Sequence, residues 1–73
     1  MSKHKEVAVK IVFWNGQIKN LKVKAGTRVE ELLKILRVNR EAVLCLLNSN
    51  LVTEDEEITE DSELRLLSVV SGG

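Results

Sequence analysis

The 73-residue sequence has no proline, one cysteine and one histidine, and these scarcities exclude several ways of building a small protein. The single cysteine, Cys45, cannot form an internal disulfide, and no histidine or cysteine cluster has the spacing of a metal site. We therefore predict an aliphatic core with no bound metal or other cofactor. The compartment expected for such a chain is the reducing cytoplasm.

Long apolar segments and linkers are missing as well. No apolar run approaches the ~20 residues that cross a bilayer, and residues 1–6 lack the apolar region of a signal peptide. No Pro- or Ser-rich linker, internal repeat or low-complexity segment divides the chain. We predict one folding unit at residues 7–70, flexible tails at residues 1–6 and 71–73, and no contact with membranes.

The sequence also lacks the residue patterns that are typical of enzyme active sites. A single domain of this size buries only about 60% of its unfolded surface, which leaves no room for a deep catalytic cleft. The sequence shows no nucleophile with a base, no paired catalytic carboxylates and no phosphate-binding loop. We predict that the protein is not an enzyme.

The charged residues are divided along the chain, although the net charge is zero. Residues 1–24 hold six lysines and one acid, whereas residues 25–73 hold five basic residues and ten acids. Seven of these acids lie within residues 54–63 and lack the spacing of a calcium loop, so we expect a solvated surface loop. The lysines leave a non-covalent RNA- or protein-binding module as an alternative. However, aromatic residues for base stacking are not interleaved with them, and the acidic half would repel phosphate.

The first two predicted elements are strands joined by a hairpin. Apolar residues alternate over residues 7–14 and again over residues 18–24, and Asn15-Gly16 between them is typical of a hairpin turn. We expect a three-residue loop at residues 15–17, with a positive φ at Gly16. This loop sets three cross-strand pairs, which are Val9 with Val23, Ile11 with Leu21 and Lys10 with Lys22.

A helix with a marked start follows the hairpin. Thr27 at the N-cap and Glu30 three positions later form a predicted capping box. Four apolar residues then recur at helical spacing, as one stripe that lies on a sheet: Val29, Leu32, Leu33 and Leu36. We expect the helix to end near Arg37, with Asn39 in the left-handed conformation that closes it.

The second half of the chain predicts two further strands. Residues 42–47 form a continuous apolar run, residues 48–50 form a turn, and residues 63–70 form the last strand. If Leu64 and Leu66 face the core, alternation places three residues of the last strand on the outer face: Arg65, Leu67 and Val69. Together with residues of an adjacent strand (Val43, Cys45 or Leu47), they predict an apolar patch of the kind that marks a protein interface.

The chain ends in Gly72-Gly73, directly after this last strand, and with this ending it resembles a known family. The order ββαββ, the hairpin with a glycine, the single helix and the terminal glycines are similar to those of the ubiquitin-like β-grasp proteins. The implied fold is α+β, a mixed sheet with one helix packed across it. The ending is most similar to the sulfur carriers ThiS, MoaD and TtuB and the archaeal small modifiers. The proline pair of many MoaD proteins is missing, which favours thiamine-type or tRNA-thiolation biosynthesis over molybdopterin synthesis.

The resemblance implies that the chain is a substrate activated by other proteins. An adenylating enzyme of the ubiquitin-activating type (ThiF/MoeB-like) would use Mg and ATP to adenylate Gly73. A persulfide would then supply sulfur, leaving a thiocarboxylate for an acceptor biosynthetic enzyme. Gly72, Ser71 and Val70 would thread the partner's active site, and the partner-binding surface would comprise Arg65, Leu67, Val69 and Cys45. The alternative is a modifier, a monomer when alone, that forms isopeptide bonds with target lysines.

Overall fold

The computed structural model describes residues 5–69 of the chain. Within this range the helix α1 spans Val29–Leu36, and a short 3-10 turn spans Arg40–Ala42. The strands in chain order are β1 (Glu6–Val12), β2 (Ile18–Lys24), β3 (Thr27–Arg28), β4 (Val43–Leu47), β5 (Asn50–Val52), β6 (Glu57–Ile58) and β7 (Ser62–Ser68). The predicted tails at residues 1–6 and 71–73 lie outside the described residues except for Lys5 and Glu6, and Glu6 is already part of β1.

Five of the strands form one mixed sheet, in the order β2-β1-β7-β4-β5. The first and last long strands, β1 and β7, pair in parallel at the centre of the sheet, and the other neighbours pair antiparallel. The short strands β3 and β6 form a separate two-stranded ladder. A mixed sheet with one helix is the predicted α+β architecture.

The helix lies across one face of the sheet because its apolar stripe is buried there. Val29, Leu32 and Leu33 are buried, and Leu36 packs against the same cluster. The sheet contributes alternate residues of its strands, which are Val7, Val9, Ile11, Val43, Cys45, Leu64 and Leu66, and Ile58 completes the core. Between residues 5 and 69 no charged or polar residue is buried, so this part of the core is aliphatic, as predicted.

The first hairpin has the predicted loop length but begins one residue earlier. The Phe13 N–H donates to the Gln17 carbonyl at 2.8 Å, and the Gly16 N–H donates to the Phe13 carbonyl at 2.9 Å. The Asn15 side chain accepts from the Gln17 N–H at 3.0 Å, and Gly16 has φ +90°. The three loop residues are therefore Trp14, Asn15 and Gly16, because these contacts pair Phe13 with Gln17.

This earlier loop makes the predicted register wrong by two residues. The observed pairs are Val7 with Val23, Val9 with Leu21, Ala8 with Lys22 and Lys10 with Asn20. A shift of two residues leaves every side chain on its predicted face, since strand side chains alternate with period two. It also removes the predicted repulsion between Lys10 and Lys22, which are not opposite each other.

The predicted capping box between Thr27 and Glu30 is wrong. Thr27 lies in β3, and its hydroxyl donates to a backbone carbonyl at the end of β2 at 2.7 Å. The Val29 N–H donates to the backbone carbonyl of Glu56 at 3.0 Å. The Glu30 N–H donates to the backbone carbonyl of Glu54 at 2.8 Å. The acidic segment thus caps the helix with its main chain, which satisfies two of the free N–H groups of the first turn.

The helix ends near Arg37 as predicted, but a different residue closes it. Arg37 itself is left-handed, with φ 60° and ψ 40°, and the Val38 N–H donates to the Leu33 carbonyl at 2.9 Å. Asn39 has extended backbone, and its side chain accepts from the Glu41 N–H at 3.0 Å. Asn39 therefore begins the 3-10 turn, and the prediction that it ends the helix is wrong.

The turn after β4 is one residue shorter than predicted, and it leads into a further strand. Asn48 and Ser49 both have positive φ, 51° and 73°, as a two-residue hairpin turn of type I′ requires. Asn50 is then already part of β5, which pairs with β4. Asn48 also joins the turn to β7, because its N–H donates to the Glu63 carbonyl at 2.9 Å and its side chain accepts from the Glu63 N–H at 3.0 Å.

Candidate functional site

The last strand presents alternate residues to the two faces of the sheet, as predicted. Leu64 and Leu66 are fully buried against the helix side. Leu67, with 39% of its surface exposed, lies on the opposite face, and Arg65 is exposed there as well. Val69 follows the strand and is 47% exposed. The contact of these three outward residues with a partner stays a prediction.

Cys45, in contrast, does not belong to the outer surface on which it was predicted. Only 6% of its surface is exposed, and Val43 is buried in the same way. In β4 the residue opposite Cys45 is the core residue Leu66, so both side chains point toward the helix. Burial raises the pKa of the Cys45 thiol, and the nearby Glu54 carboxylate raises it further.

The outward residues of β4 are leucines that sequence analysis did not identify as part of the site. Leu44 is 44% exposed and lies opposite Leu67 in β7. Leu46, which is half-buried, lies opposite Leu51 in β5, and Leu51 is 66% exposed. We call these four residues (Leu44, Leu46, Leu51 and Leu67) the leucine patch. A single exposed leucine is ordinary, but adjacent ones from three strands form a surface typical of interfaces.

Arg65 lies beside the leucine patch, in β7 between β1 and β4. It lies opposite Leu46 on one side and opposite Val12 on the other. Its guanidinium forms an ion pair with Glu63, with 3.3 Å between Nη2 and Oε2. Because both side chains are about half exposed, this pair contributes little to stability, and the guanidinium stays accessible to a partner.

Lysines occupy the other half of the same face. Lys10 lies in β1, and Lys22 and Lys24 lie in the edge strand β2. All three are exposed, and none of the ion pairs found between residues 5 and 69 involves a lysine. The face is therefore apolar near β5 and basic near β2, an arrangement that attracts a partner of negative potential.

The chain leaves the sheet beside the leucine patch. The Val69 N–H donates to the Ala42 carbonyl at 3.0 Å, which extends the pairing of β7 with the start of β4 by one residue. The predicted tail residues Val70, Ser71, Gly72 and Gly73 lie outside the described residues. Gly73 is therefore four positions from Val69, a residue that is held by the sheet.

The described residues supply an exposed apolar surface for contact. Between residues 5 and 69 no group of three or more His, Cys, Asp or Glu side chains is placed to hold a metal ion. The acidic segment instead forms surface contacts, such as the 3.2 Å ion pair between Arg40 Nε and Glu54 Oε1. None of the helical segments in this range has the length and apolarity that crossing a membrane demands.

Solved structures share this architecture. A protein designed on ubiquitin superimposes with a TM-score of 0.74 over 92% of this chain and 93% of its own, at 22% identity. SUMO from Trypanosoma brucei superimposes with a TM-score of 0.71 over 100% of this chain and 80% of its own, at 21% identity. Caldiarchaeum subterraneum ubiquitin superimposes with a TM-score of 0.63 over 94% of this chain and 100% of its own, at 12% identity. At these identities the likeness concerns the fold alone, and it defines a protein of the ubiquitin-like β-grasp class.

Sequence comparison then narrows the class to one family. The model of the ThiS family matches residues 12–73, a range that includes the terminal glycines. The chain is also 31% identical to the sulfur carrier protein TtuB of Thermus thermophilus over 65 residues, which cover 89% of this chain and 100% of that protein. This chain belongs to the ThiS family of ubiquitin-like β-grasp sulfur carriers, as its resemblance predicted.

Proposed function

We propose that this protein carries sulfur as a thiocarboxylate on Gly73, formed after adenylation of that residue by an enzyme of the ubiquitin-activating type. The observation that carries the proposal is the family match, which runs from β1 through Gly73. The leucine patch supports it, because a docking surface lies next to the point where the tail begins. The chain is then a substrate and a carrier, and the catalytic groups and the Mg-ATP belong to its partner.

The chemistry explains why a partner is needed. A terminal carboxylate, with a pKa near 3.5, is ionised at neutral pH and is a poor electrophile. Attack of this carboxylate on the α-phosphorus of ATP releases pyrophosphate and gives an acyl-adenylate. A persulfide sulfur then displaces AMP from the carbonyl carbon. Cleavage of the resulting S–S bond by a thiol leaves the thiocarboxylate.

The leucine patch and Arg65 would provide the docking surface for the adenylating enzyme. Leu44, Leu51 and Leu67 are the exposed members of the patch, and Val69 extends it toward the tail. Glycine at positions 72 and 73 suits a narrow active-site channel, because its lack of a Cβ permits close approach of the partner's backbone. A monomeric carrier in the cytoplasm is consistent with this proposal.

For the acceptor we propose tRNA thiolation, because the relative with 31% identity is the sulfur carrier TtuB. Thiamine-type biosynthesis is the second candidate, since the matching family model is that of ThiS. Conjugation to target lysines uses the same activated Gly73. It stays a prediction from the resemblance.

Deleting Gly73 tests the proposal. ATP–pyrophosphate exchange by the adenylating enzyme of the same organism should depend on the full-length chain and be lost with the deletion variant. The Tm should not change, since the sheet and helix end before this residue. Intact mass after addition of a persulfide donor should show one oxygen replaced by one sulfur in the C-terminal peptide. Undiminished exchange with the deletion variant would contradict the proposal.

A further inference from the structure

The strand β2 forms a long open edge of the five-stranded sheet. It has seven residues and, within residues 5–69, it pairs with β1 alone, in a register without a bulge. The strand at the opposite edge, β5, has only three residues. Native proteins often keep edge strands short, bulged or covered, because unpaired backbone groups can pair with another chain. The β2 edge is therefore suited to the addition of a further strand.

The hydrogen bonds of the hairpin identify which backbone groups of β2 are unpaired. The Ala25 N–H, directly after β2, donates to the Lys5 carbonyl at 2.8 Å. Hydrogen-bonded pairs alternate with pairs that are not hydrogen-bonded in an antiparallel ladder. Residues 19, 21 and 23 therefore bond to β1, whereas residues 18, 20, 22 and 24 direct their N–H and C=O groups away from it. The Thr27 hydroxyl agrees with this direction, since it donates to the outward Lys24 carbonyl at 2.7 Å.

The two faces of this edge differ in chemistry. On the outer face, Lys22 and Lys24 are exposed. On the helix side, Leu21 and Val23 pack against the core but are only half-buried. Side chains of neighbouring strands contact each other on both faces of a sheet. A strand that fits this edge therefore has apolar residues on the helix side and acidic residues on the outer side, in alternation.

The lysines decide between the possible strands. In the described part of the chain no ion pair involves a lysine. Lys22 lies opposite Ala8 in β1, and Lys24 lies opposite Glu6 without forming an ion pair. Pairing β2 with β2 of a second copy would bring two sets of lysines onto one face, where like charges repel. An acidic strand meets the opposite charge there and is favoured over a second copy.

We propose that the β2 edge receives an extended segment of a partner protein in which acidic and apolar residues alternate, added as a sixth strand of the sheet. Its acids lie beside Lys22 and Lys24, and its apolar residues cover Leu21 and Val23. Its backbone pairs with the outward N–H and C=O groups of Asn20 and Lys22. Strand β1 separates this edge from β7, the nearest strand of the leucine patch, so the two surfaces are distinct.

Three synthetic peptides test strand addition on the full chain. The first is the capped heptapeptide Glu-Val-Glu-Val-Glu-Val-Glu, which has the length of β2. The other two are isomers that carry N-methyl groups on two of the glutamates or on two of the valines. Alternate residues of a strand direct their backbone groups to opposite edges, so only one isomer keeps the N–H groups that face β2. This is the valine-methylated isomer if the peptide adds antiparallel and the glutamate-methylated isomer if it adds parallel.

The affinities of the three peptides decide the proposal. The unmodified peptide and one isomer should bind with similar Kd, and the other isomer should bind roughly tenfold or more weakly, since it lacks two backbone hydrogen bonds. Equal affinities of the two isomers would show that the lysines attract any anion, nucleic acid included, and would overturn strand addition. Failure of the unmodified peptide to bind would overturn it as well.

Amide hydrogen exchange locates the bound peptide. In the free protein, the outward amides of Asn20 and Lys22 should exchange faster than those of Leu21 and Val23, which bond to β1. The unmodified peptide should slow exchange at Asn20 and Lys22, because both N–H groups become hydrogen-bonded. Protection confined to other elements would contradict the assignment of the peptide to this edge.

Two lysine variants test the acidic side of the added strand. Lys22→Gln should weaken binding of the unmodified peptide roughly two- to fivefold, as expected for one exposed ion pair. Lys34→Gln is the matched control, because it removes the same charge from an exposed residue of α1, across the sheet from Lys22. It should leave the Kd unchanged. Equal losses with both variants would overturn the pairing with Lys22. These experiments use the carrier alone, so their outcome does not depend on the adenylating enzyme.

Discussion

Leu66 and Leu67 are adjacent in β7 but lie on opposite faces of the sheet. Replacing Leu66 with alanine should mainly lower the stability, whereas replacing Leu67 with alanine should mainly weaken docking. Leu66 is fully buried, and removing a buried leucine side chain costs about 2–5 kcal/mol. A domain of 73 residues has a free energy of unfolding of about 4–11 kcal/mol, from a typical value per residue. Leu66→Ala should therefore remove a large part of the stability and lower the Tm by roughly 10–30 °C.

Leu67→Ala should instead weaken docking. Full burial of a leucine side chain is worth about 1.5–3 kcal/mol, and the 39% of Leu67 that is still exposed would contribute about 0.6–1.2 kcal/mol when a partner covers it. The KM for the carrier in adenylation should rise roughly three- to eightfold. On the same scale, the part of Leu67 that is already buried contributes about 0.9–1.8 kcal/mol to stability, so the loss should be smaller than that expected for the fully buried Leu66.

The assay pairs thermal unfolding with ATP–pyrophosphate exchange, measured below the Tm of the weaker variant. Ile35→Ala is the matched control, because Ile35 is 60% exposed but lies on α1, away from the leucine patch. It should change neither the KM nor the Tm by much. A Leu67→Ala variant that loses as much stability as Leu66→Ala would refute the division of the two faces. A Leu67→Ala variant that is adenylated by the enzyme with an unchanged KM would refute docking at the leucine patch.

Two further predictions concern single residues. The raised pKa of the Cys45 thiol, caused first by burial and then by Glu54, predicts slow alkylation by iodoacetamide in the folded protein and fast alkylation after unfolding; equal rates would show that Cys45 is accessible. Because this pKa lies above its unfolded value, the thiol's contribution to stability is complete below the unfolded pKa and is lost as the pH rises through the folded pKa, which urea titrations at several alkaline pH values can check against Cys45→Ser. Gly16→Ala should destabilise the fold by about 1–2 kcal/mol, because its φ of +90° is strained for alanine although no atom lies within 4 Å of the added Cβ; an unchanged midpoint of denaturation would show that the turn adapts.

Alternation predicted the faces of a strand wherever polar residues mark one side. In β1 and β7 the intervening charged residues, such as Lys10 and Arg65, identify the outward positions, and the structure agrees. Residues 42–47 carry no such marker, so the sequence left open which of them face outward. The pairing of Leu44 with Leu67 decides it, and this pairing between distant segments is invisible locally. This is why the prediction that Cys45 lies on the outer surface was wrong.

The wrong prediction of the helix cap has the same physical cause, because the capping contacts come from a segment that is distant in sequence. The helix start is capped by backbone carbonyls of Glu54 and Glu56, more than twenty positions along the chain, whereas a capping box is a local pattern. The three-residue strand β5 is too short to give a periodic signal. The hairpin error was smaller, because a register shift of two residues preserves every face. The fold class was thus readable from the sequence, and the full leucine patch was not.

The hydrogen bond between Val69 and Ala42 also fixes the point at which the chain leaves the sheet. Four residues span at most about 14 Å when fully extended, so Gly73 lies within that distance of Val69. Under the proposed function, an enzyme that adenylates Gly73 must therefore hold the folded body of the carrier within about 14 Å of its own catalytic atoms, which excludes active sites that lie deeper than this span.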